Sequence, residues 1–399
     1  MPVLASMPRR RFLGRALAIG SGAVLAGSAR PLAALEPPPW RAAIIGHTRR
    51  GDYGHDLDVI FNGHPGIELV GLADPDETGR TRAAERSQAR RTYADYRDML
   101  AKEKPQLVVV GPRHTDQHHE MASAALRSGA HVLTEKPFTQ TLAQGDDLLA
   151  QAEGAGLRMA VAHQARLSPG ILHLHRRLQD GWIGSLRQMR AWGKQDARAG
   201  GEDLIVLGTH LFDLMRLFGG QVEWCSARIR SQGHAATRAD IRQPTETIGP
   251  VLGDDIEAQF EFAGGINATF TSRGALRQTL GPWGLMLIGD KGAVRILMDI
   301  APRIFVGKSG TWEANGSTER WEPLAGDPMQ NAPASERGFP AANRRVLDDW
   351  LAAIGDRREP ACSGRRGLEA VEMAMAVFAA GLSGGRIRFP LAQRTHPLA

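Results

Sequence analysis

Cysteine is nearly absent from this 399-residue chain: Cys225 and Cys362 are the only two. Their spacing suggests neither a disulfide framework nor a metal site, and either suits a small buried apolar position. The thirteen histidines contain no His-x-x-x-His or Glu-flanked ligand pattern, so no metal is expected. Beyond residue 34 no apolar run approaches the ~20 residues needed to span a bilayer, and no stable membrane insertion is expected. Net charge is also scarce where it would matter. The chain has 49 Lys and Arg against 43 Asp and Glu, but Arg9, Arg10, Arg11, Arg15 and Arg30 lie in the first 34 residues, which hold no acid. The remainder balances at 44 against 43. A nucleic-acid binder needs a basic footprint on the folded part, so that class is excluded. There is no internal repeat. With 42% hydrophobic residues, 46 Gly and 23 Pro, the composition is that of a loop-rich globular protein. Its length allows two domains with separate cores.

Residues 1–34 read as an export signal. Pro8-Arg9-Arg10-Arg11-Phe12-Leu13 precedes a short apolar stretch, Ala16 to Ala29, rich in Gly, Ala and Ser. The paired arginines followed by Phe-Leu resemble a bacterial twin-arginine signal. The expectation is a periplasmic or otherwise exported protein that meets the twin-arginine export machinery during transport.

Residues 40–162 alternate strands and helices. Apolar runs at 41–45, 67–73, 106–110, 130–134 and 158–162 read as buried strands. An amphipathic start at Leu57 and helical stretches at 78–88, 96–100, 119–128 and 142–155 separate them. This is the pattern of a Rossmann-like α/β domain with a parallel sheet. Near residue 163 the pattern changes. A helix over 169–179 leads to alternating strands at 186–192, 222–232, 255–262, 266–272, 284–288, 293–299 and 303–306, with a helical run at 208–217 among them. Gly264-Gly265 reads as a hairpin turn. Residues 312–336 are loop-like, and helices at 341–353 and 364–380 close the chain. Residues 163–390 are thus expected to form an α+β domain on a mostly antiparallel open sheet. One face of that sheet needs a cover, and a homo-oligomer is expected, a dimer first and a tetramer second.

The turn Gly46-His47-Thr48-Arg49-Arg50-Gly51 follows the first strand, where backbone N–H groups hold a dinucleotide pyrophosphate. Thr48 stands where the usual pattern has its second glycine. Asp74 ends the second strand, placed to accept from ribose hydroxyls and to repel a 2′-phosphate, which favours NAD over NADP; Arg80 is the residue able to pair with such a phosphate. Three polar clusters follow later strands at the sheet's ligand-binding end: Pro112 to His118, including His114, then Glu135-Lys136-Pro137, then His163-Gln164-Ala165-Arg166. An ammonium at Lys136 would stabilise alkoxide character as hydride leaves a carbinol carbon. The second domain supplies His210, with Asp213 at i+3 and Asp203 shortly before. Imidazole has the pKa to take a hydroxyl proton. His55 and the pair His118-His119 are weaker candidates.

Glu135-Lys136-Pro137, the His-bearing loop after Val110, Arg166 to Pro169, and Gly208-x-His210-x-x-Asp213 together resemble the glucose–fructose oxidoreductase and inositol dehydrogenase family, often written Gfo/Idh/MocA. The resemblance spans residues 40–390. It implies a two-domain NAD(P) enzyme acting on sugars, polyols or their acids. Lys136 would be the active-site lysine and His210 the acid/base, with Asp213 as a partner. Gly46, Thr48, Gly51, Asp74, Arg80, His114, Glu135 and Lys136 would face the cofactor. Lys136, His163, Arg166, Asp203 and His210 would face the substrate. Many relatives carry an aspartate four residues before the histidine; here that residue is Val206. The family also contains exported members and redox-neutral glycosidases, so a dehydrogenase with a tightly held, recycled cofactor, an NAD-dependent glycosidase and a degenerate carbohydrate-binding relative all remain open.

Overall fold

A computed structural model describes residues 39–274, 283–307 and 321–399. The expected export signal at 1–34 and the first part of the expected 312–336 loop lie outside those residues.

In the first domain, β1 (Trp40–Ile45), β2 (Ile67–Ala73), β3 (Thr92–Tyr93), β4 (Leu107–Val110), β5 (His131–Thr134) and β6 (Met159–Val161) pair in the order β3-β2-β1-β4-β5-β6. Every pair is parallel. This is the doubly wound order, with its switch point between β1 and β4 and its ligand crevice beyond the carboxyl ends of the strands. Alternation sends neighbours on β1 to opposite faces: Ala43 and Ile45 join one core, Ala42 and Ile44 another. The first face is covered by α2 (Tyr96–Glu103), α3 (His118–Arg127) and α4 (Leu142–Gly154), through Met99, Met121 and Leu148. α1 (Glu77–Ser87) starts at Asp76, whose carboxylate accepts from the Gly79 N–H at 2.8 Å.

The second face departs from expectation. The amphipathic start at Leu57 does not become an α-helix; Leu57–Val59 makes a single 3-10 turn. The chain before it runs through Arg49, Gly51, Asp52, Gly54 and Asp56, all at positive φ, which no continuing helix accommodates. Leu57, Ile60 and Phe61 still pack on the sheet, and the rest of that face is covered from far along the chain by Val346, Leu347 and Trp350. These three lie on one stripe of a helix at Phe339–Gly355, which the sequence places in the second domain.

The second domain begins with α5 (Pro169–Gln179), β7 (Leu186–Trp192), α6 (Gly201–Val206), α7 (Gly208–Gly219) and β8 (Val222–Ser231). Then come the short β9 (His234–Ala235), β10 (Ile241–Arg242) and β11 (Val251–Leu252). The long strands β12 (Asp255–Phe262), β13 (Ile266–Arg273), β14 (Gly284–Gly289), β15 (Ala293–Leu297) and β16 (Arg303–Gly307) follow, and β17 (Trp321–Pro323) lies at the edge. The chain closes with α8 (Ala334–Arg337), α9 (Phe339–Gly355), α10 (Gly364–Ser383) and β18 (Ile387–Arg388). The open sheet runs β17-β16-β15-β14-β7-β13-β12-β8-β18. It is antiparallel except where β7 meets β13. Gly264 and Gly265, both at positive φ, turn β12 into β13 as the sequence suggested. One face is buried: Phe260 and Phe270 close on Phe212 of α7 at 5.5 and 5.2 Å between ring centroids. The other carries Glu257, Gln259, Thr269 and Thr271, as strand alternation requires.

Candidate active site

The carboxyl end of β5 delivers Glu135 and Lys136 into the seam between the domains. Both are buried, at 0% and 4% exposure. The Lys136 ammonium donates to the Val206 carbonyl oxygen at 3.4 Å. At the position where relatives are expected to carry an aspartate, this chain therefore supplies a main-chain acceptor. Burial pushes the Lys136 pKa below its ordinary range, and the charges of Glu135 and Glu246 offset this only in part. Burial alone would raise Glu135, but the His55 imidazole, Lys136 and the Lys136 N–H bring it below the usual carboxylate range. Its carboxylate is held by His55 Nδ1 and the Lys136 N–H.

His210, on the first turn of α7, is half-buried and lines a cavity of 180 Å³ together with Lys136; His55, Gln164, Lys194, Asp299, Trp283 and Phe339 complete the polar and aromatic lining. Burial, reinforced by Lys136, His163 and His55, holds its imidazole well below the ordinary pKa. The neutral imidazole is the favoured form there.

Asp213 is not the partner of that imidazole. One helical turn along α7, its carboxylate takes a bidentate pair from Arg166 at 2.8–3.0 Å, and Arg166 also reaches the Asp213 carbonyl at 2.7 Å. With both residues buried, this joins the start of the second domain to α7, and Arg166 is not among the residues lining the cavity. His163 lies between the two sites, its Nδ1 3.8 Å from Asp213 and its ring 5.4 Å from that of His210, but it too is buried outside the cavity lining. Asp203 is likewise engaged within the chain and is not among the residues lining the cavity. It accepts from Ser272 Oγ at 2.6 Å and from the Lys194 and Gln195 N–H groups at 3.3 and 3.2 Å. A Cβ at Gly193 would collide with this carboxylate, which is why the turn carries glycine there. Asp203 thus fixes the turn that presents Lys194, a lining residue the sequence reading missed. Its one signal was position, just past the end of a half-buried strand.

At the other end of the crevice, Asp74 is fully buried and already engaged. It accepts from the Thr48 N–H at 3.0 Å, from Thr48 Oγ1 at 2.7 Å and from the Asp76 N–H at 2.9 Å. The carboxylate expected to meet ribose hydroxyls is therefore spoken for by the residue that replaces the second glycine. Arg80 donates to the Asp74 carbonyl at 2.7 Å, and His114 Nδ1 meets Thr247 Oγ1 at 3.1 Å. A cavity of 230 Å³ opens here between Gly46, His47, Pro75, Tyr96 and Gln117, where the fold seats an adenosine. Between the two cavities the chain itself crosses the strand ends. The Tyr53 ring lies on Gly46, and Gly54 rests against Gly111 and Glu135. The residues at each end suit a dinucleotide; the middle of its path holds Gly51–His55.

Two family profiles match. One, described as an oxidoreductase family with an NAD-binding Rossmann fold, covers residues 40–163; its partner, the C-terminal alpha/beta domain, covers 177–388. The chain belongs to the GFO_IDH_MocA oxidoreductase family. Its first domain is the NAD-binding fold of that family and its second is the family's C-terminal domain. A D-apiose dehydrogenase of Paraburkholderia graminis is 25% identical over 334 residues, covering 80% of this chain and 82% of the relative. Among solved structures, an oxidoreductase domain protein from Kribbella flavida aligns at a TM-score of 0.71 with 22% identity, over 89% of this chain and all of its own. A levoglucosan dehydrogenase in complex with NADH and L-sorbose aligns at 0.72 with 18% identity, again over 89% and 100%. These likenesses establish the fold.

Proposed function

We propose that this member of the family oxidises and reduces a hydroxyl-bearing carbon of a small carbohydrate, using a nicotinamide dinucleotide that it keeps and recycles. The observation that carries the proposal is the meeting of Lys136, at the end of a Rossmann strand, with a neutral His210 from the second domain across one cavity. A volume of 180 Å³ admits one sugar ring and little more. The names of the relatives, a D-apiose dehydrogenase and a levoglucosan dehydrogenase, support a substrate of that class.

When bound, the dinucleotide supplies the hydride acceptor and, once reduced, the donor. The chain does the rest. Lys136 holds the reacting oxygen and stabilises the negative charge that grows on it. His210 takes the hydroxyl proton on oxidation and returns it on reduction. Lys194 and Gln164 are placed to hold further hydroxyls of the ring. Recycling follows from the proposed twin-arginine export: outside the cytoplasm free dinucleotide is scarce, so a protein exported folded must carry its cofactor and return it to its starting state.

Mature protein denatured after purification should release NAD(H) into the supernatant. The intact protein should change its absorbance near 340 nm when offered D-apiose, levoglucosan or L-sorbose. Protein that carries no dinucleotide and takes up neither NAD nor NADP would refute the enzyme proposal. Self-association through the polar face of the open sheet is part of the same reading. Light scattering at micromolar concentration should return at least twice the chain mass, and a single-chain mass would exclude it.

A further inference from the structure

Gly51–His55 lies where the middle of a dinucleotide would run. In a 3-2-1-4-5-6 sheet that path crosses the carboxyl ends of β1 and β4 and reaches β5. Here each of those ends is covered by the chain itself, by the Tyr53 ring at one and by main chain at the others. Tyr53 packs on Gly46 after β1, and its ring is buried. Gly51 sits against the N–H groups of Arg113 and His114 beyond β4, and the Arg113 N–H donates to the Gly51 carbonyl at 3.2 Å. Gly54 lies on Gly111 and Glu135 at the ends of β4 and β5. The two cavities described above flank this crossing, one on the β2 side and one beside Lys136.

Between β1 and the 3-10 turn, Arg49, Asp52 and Asp56 all sit in the left-handed region at φ of 70°, 53° and 58°. Left-handed backbone is disfavoured for residues that carry a Cβ, most of all for Arg49 and least for the two aspartates. Main-chain bonds between His47 and Asp52 and from the Arg113 N–H to Gly51 hold the start of the segment, and side chains hold its far end. His55 Nδ1 pairs with the buried Glu135 carboxylate, and Asn343 of α9 donates to the His55 carbonyl at 2.7 Å. A segment flanked by left-handed residues, with two glycines of its own and a side-chain latch at its far end, has a second arrangement within reach.

We propose that Gly51–His55 is a strap that closes the dinucleotide crevice of the free chain, and that NAD enters only after His55 releases Glu135 and the strap lifts from the strand ends. This rests on the dinucleotide reading above. The strap accounts for two separate cavities, one suited to each end of the cofactor, with Gly51–His55 lying between them. Apparent affinity is then the intrinsic affinity reduced by the fraction of open chains, and weakening the latch raises that fraction.

The test is stopped-flow binding of NADH to the mature chain freed of dinucleotide, followed by nicotinamide fluorescence. The wild-type rate should level off with rising NADH, because strap opening limits it. His55→Ala should raise the plateau at least tenfold and tighten binding by a similar factor. Asn343→Ser, which loosens the His55 carbonyl from α9, should move both in the same direction and serves if His55→Ala does not fold. Binding to the variants but not to wild type would equally support the strap. A rate that stays linear in NADH and is unchanged in both variants would overturn it while leaving the dinucleotide reading intact. No binding to any of the three proteins would overturn both.

Discussion

Lys136→Met should leave the protein folded and its dinucleotide content unchanged, and lower kcat on the best carbohydrate substrate by about two to three decades. Methionine replaces the buried stem with a flexible apolar chain of similar length, and the buried Glu135 carboxylate keeps His55 and the backbone N–H of residue 136 as partners, which limits the structural cost. What it removes is the donor that faces the cavity and the Val206 carbonyl. The loss falls where charge grows on the reacting oxygen, so kcat drops while KM changes little; two to three decades correspond to about 2.7–4 kcal/mol of transition-state stabilisation. Steady-state kinetics on protein whose bound dinucleotide has been quantified makes the check. Retention of near-wild-type kcat would remove Lys136 from the chemistry and shift attention to Lys194 on the opposite wall.

Asp213→Ala should act on stability before it acts on turnover. The substitution strands the Arg166 guanidinium, only 7% exposed, without the carboxylate that pairs with it through both oxygens. Breaking one side of a buried pair of this kind costs about 3–5 kcal/mol, because the remaining charge stays desolvated. Urea denaturation should show the unfolding free energy lowered by that amount, as a midpoint moved to lower urea with little change in slope. The double variant Arg166→Met with Asp213→Leu, which removes both charges and keeps bulk, should recover much of the loss. An unchanged midpoint with kcat reduced a hundredfold would restore Asp213 as a working partner of His210.

The contrast between these two residues shows how much of the site was legible. Lys136 was readable because its position depends on local pattern alone: an apolar strand that ends, then Glu-Lys-Pro, at the end of a parallel sheet where ligands bind. His210 was placed by the same kind of cue, a helix start in the second domain. Asp213 was assigned to His210 on i,i+3 spacing, which puts two side chains on neighbouring lines of a helix and says nothing of what faces them. Arg166, 47 residues earlier, reached it first. Asp74 and Asp203 repeat the lesson: each carboxylate was expected to meet a ligand, and each is claimed by the chain, by Thr48 in one case and by Ser272 with the Gly193–Gln195 turn in the other.

By itself the sequence determined the two-domain layout, the parallel sheet followed by the mostly antiparallel one, the Gly264–Gly265 hairpin, and the strand end that carries Glu135 and Lys136. These follow from period-2 alternation, continuous apolar runs and turn chemistry, all of which act over fewer than ten or so residues. Only the tertiary structure decided which polar groups stay free. It also decided that the segment after β1 crosses the strand ends instead of forming a helix, and that α9, some 280 residues later, covers the face this leaves open. The reason is competition. A buried donor or acceptor must be paired, and which of several partners it takes depends on what distant elements bring to it once the core has closed.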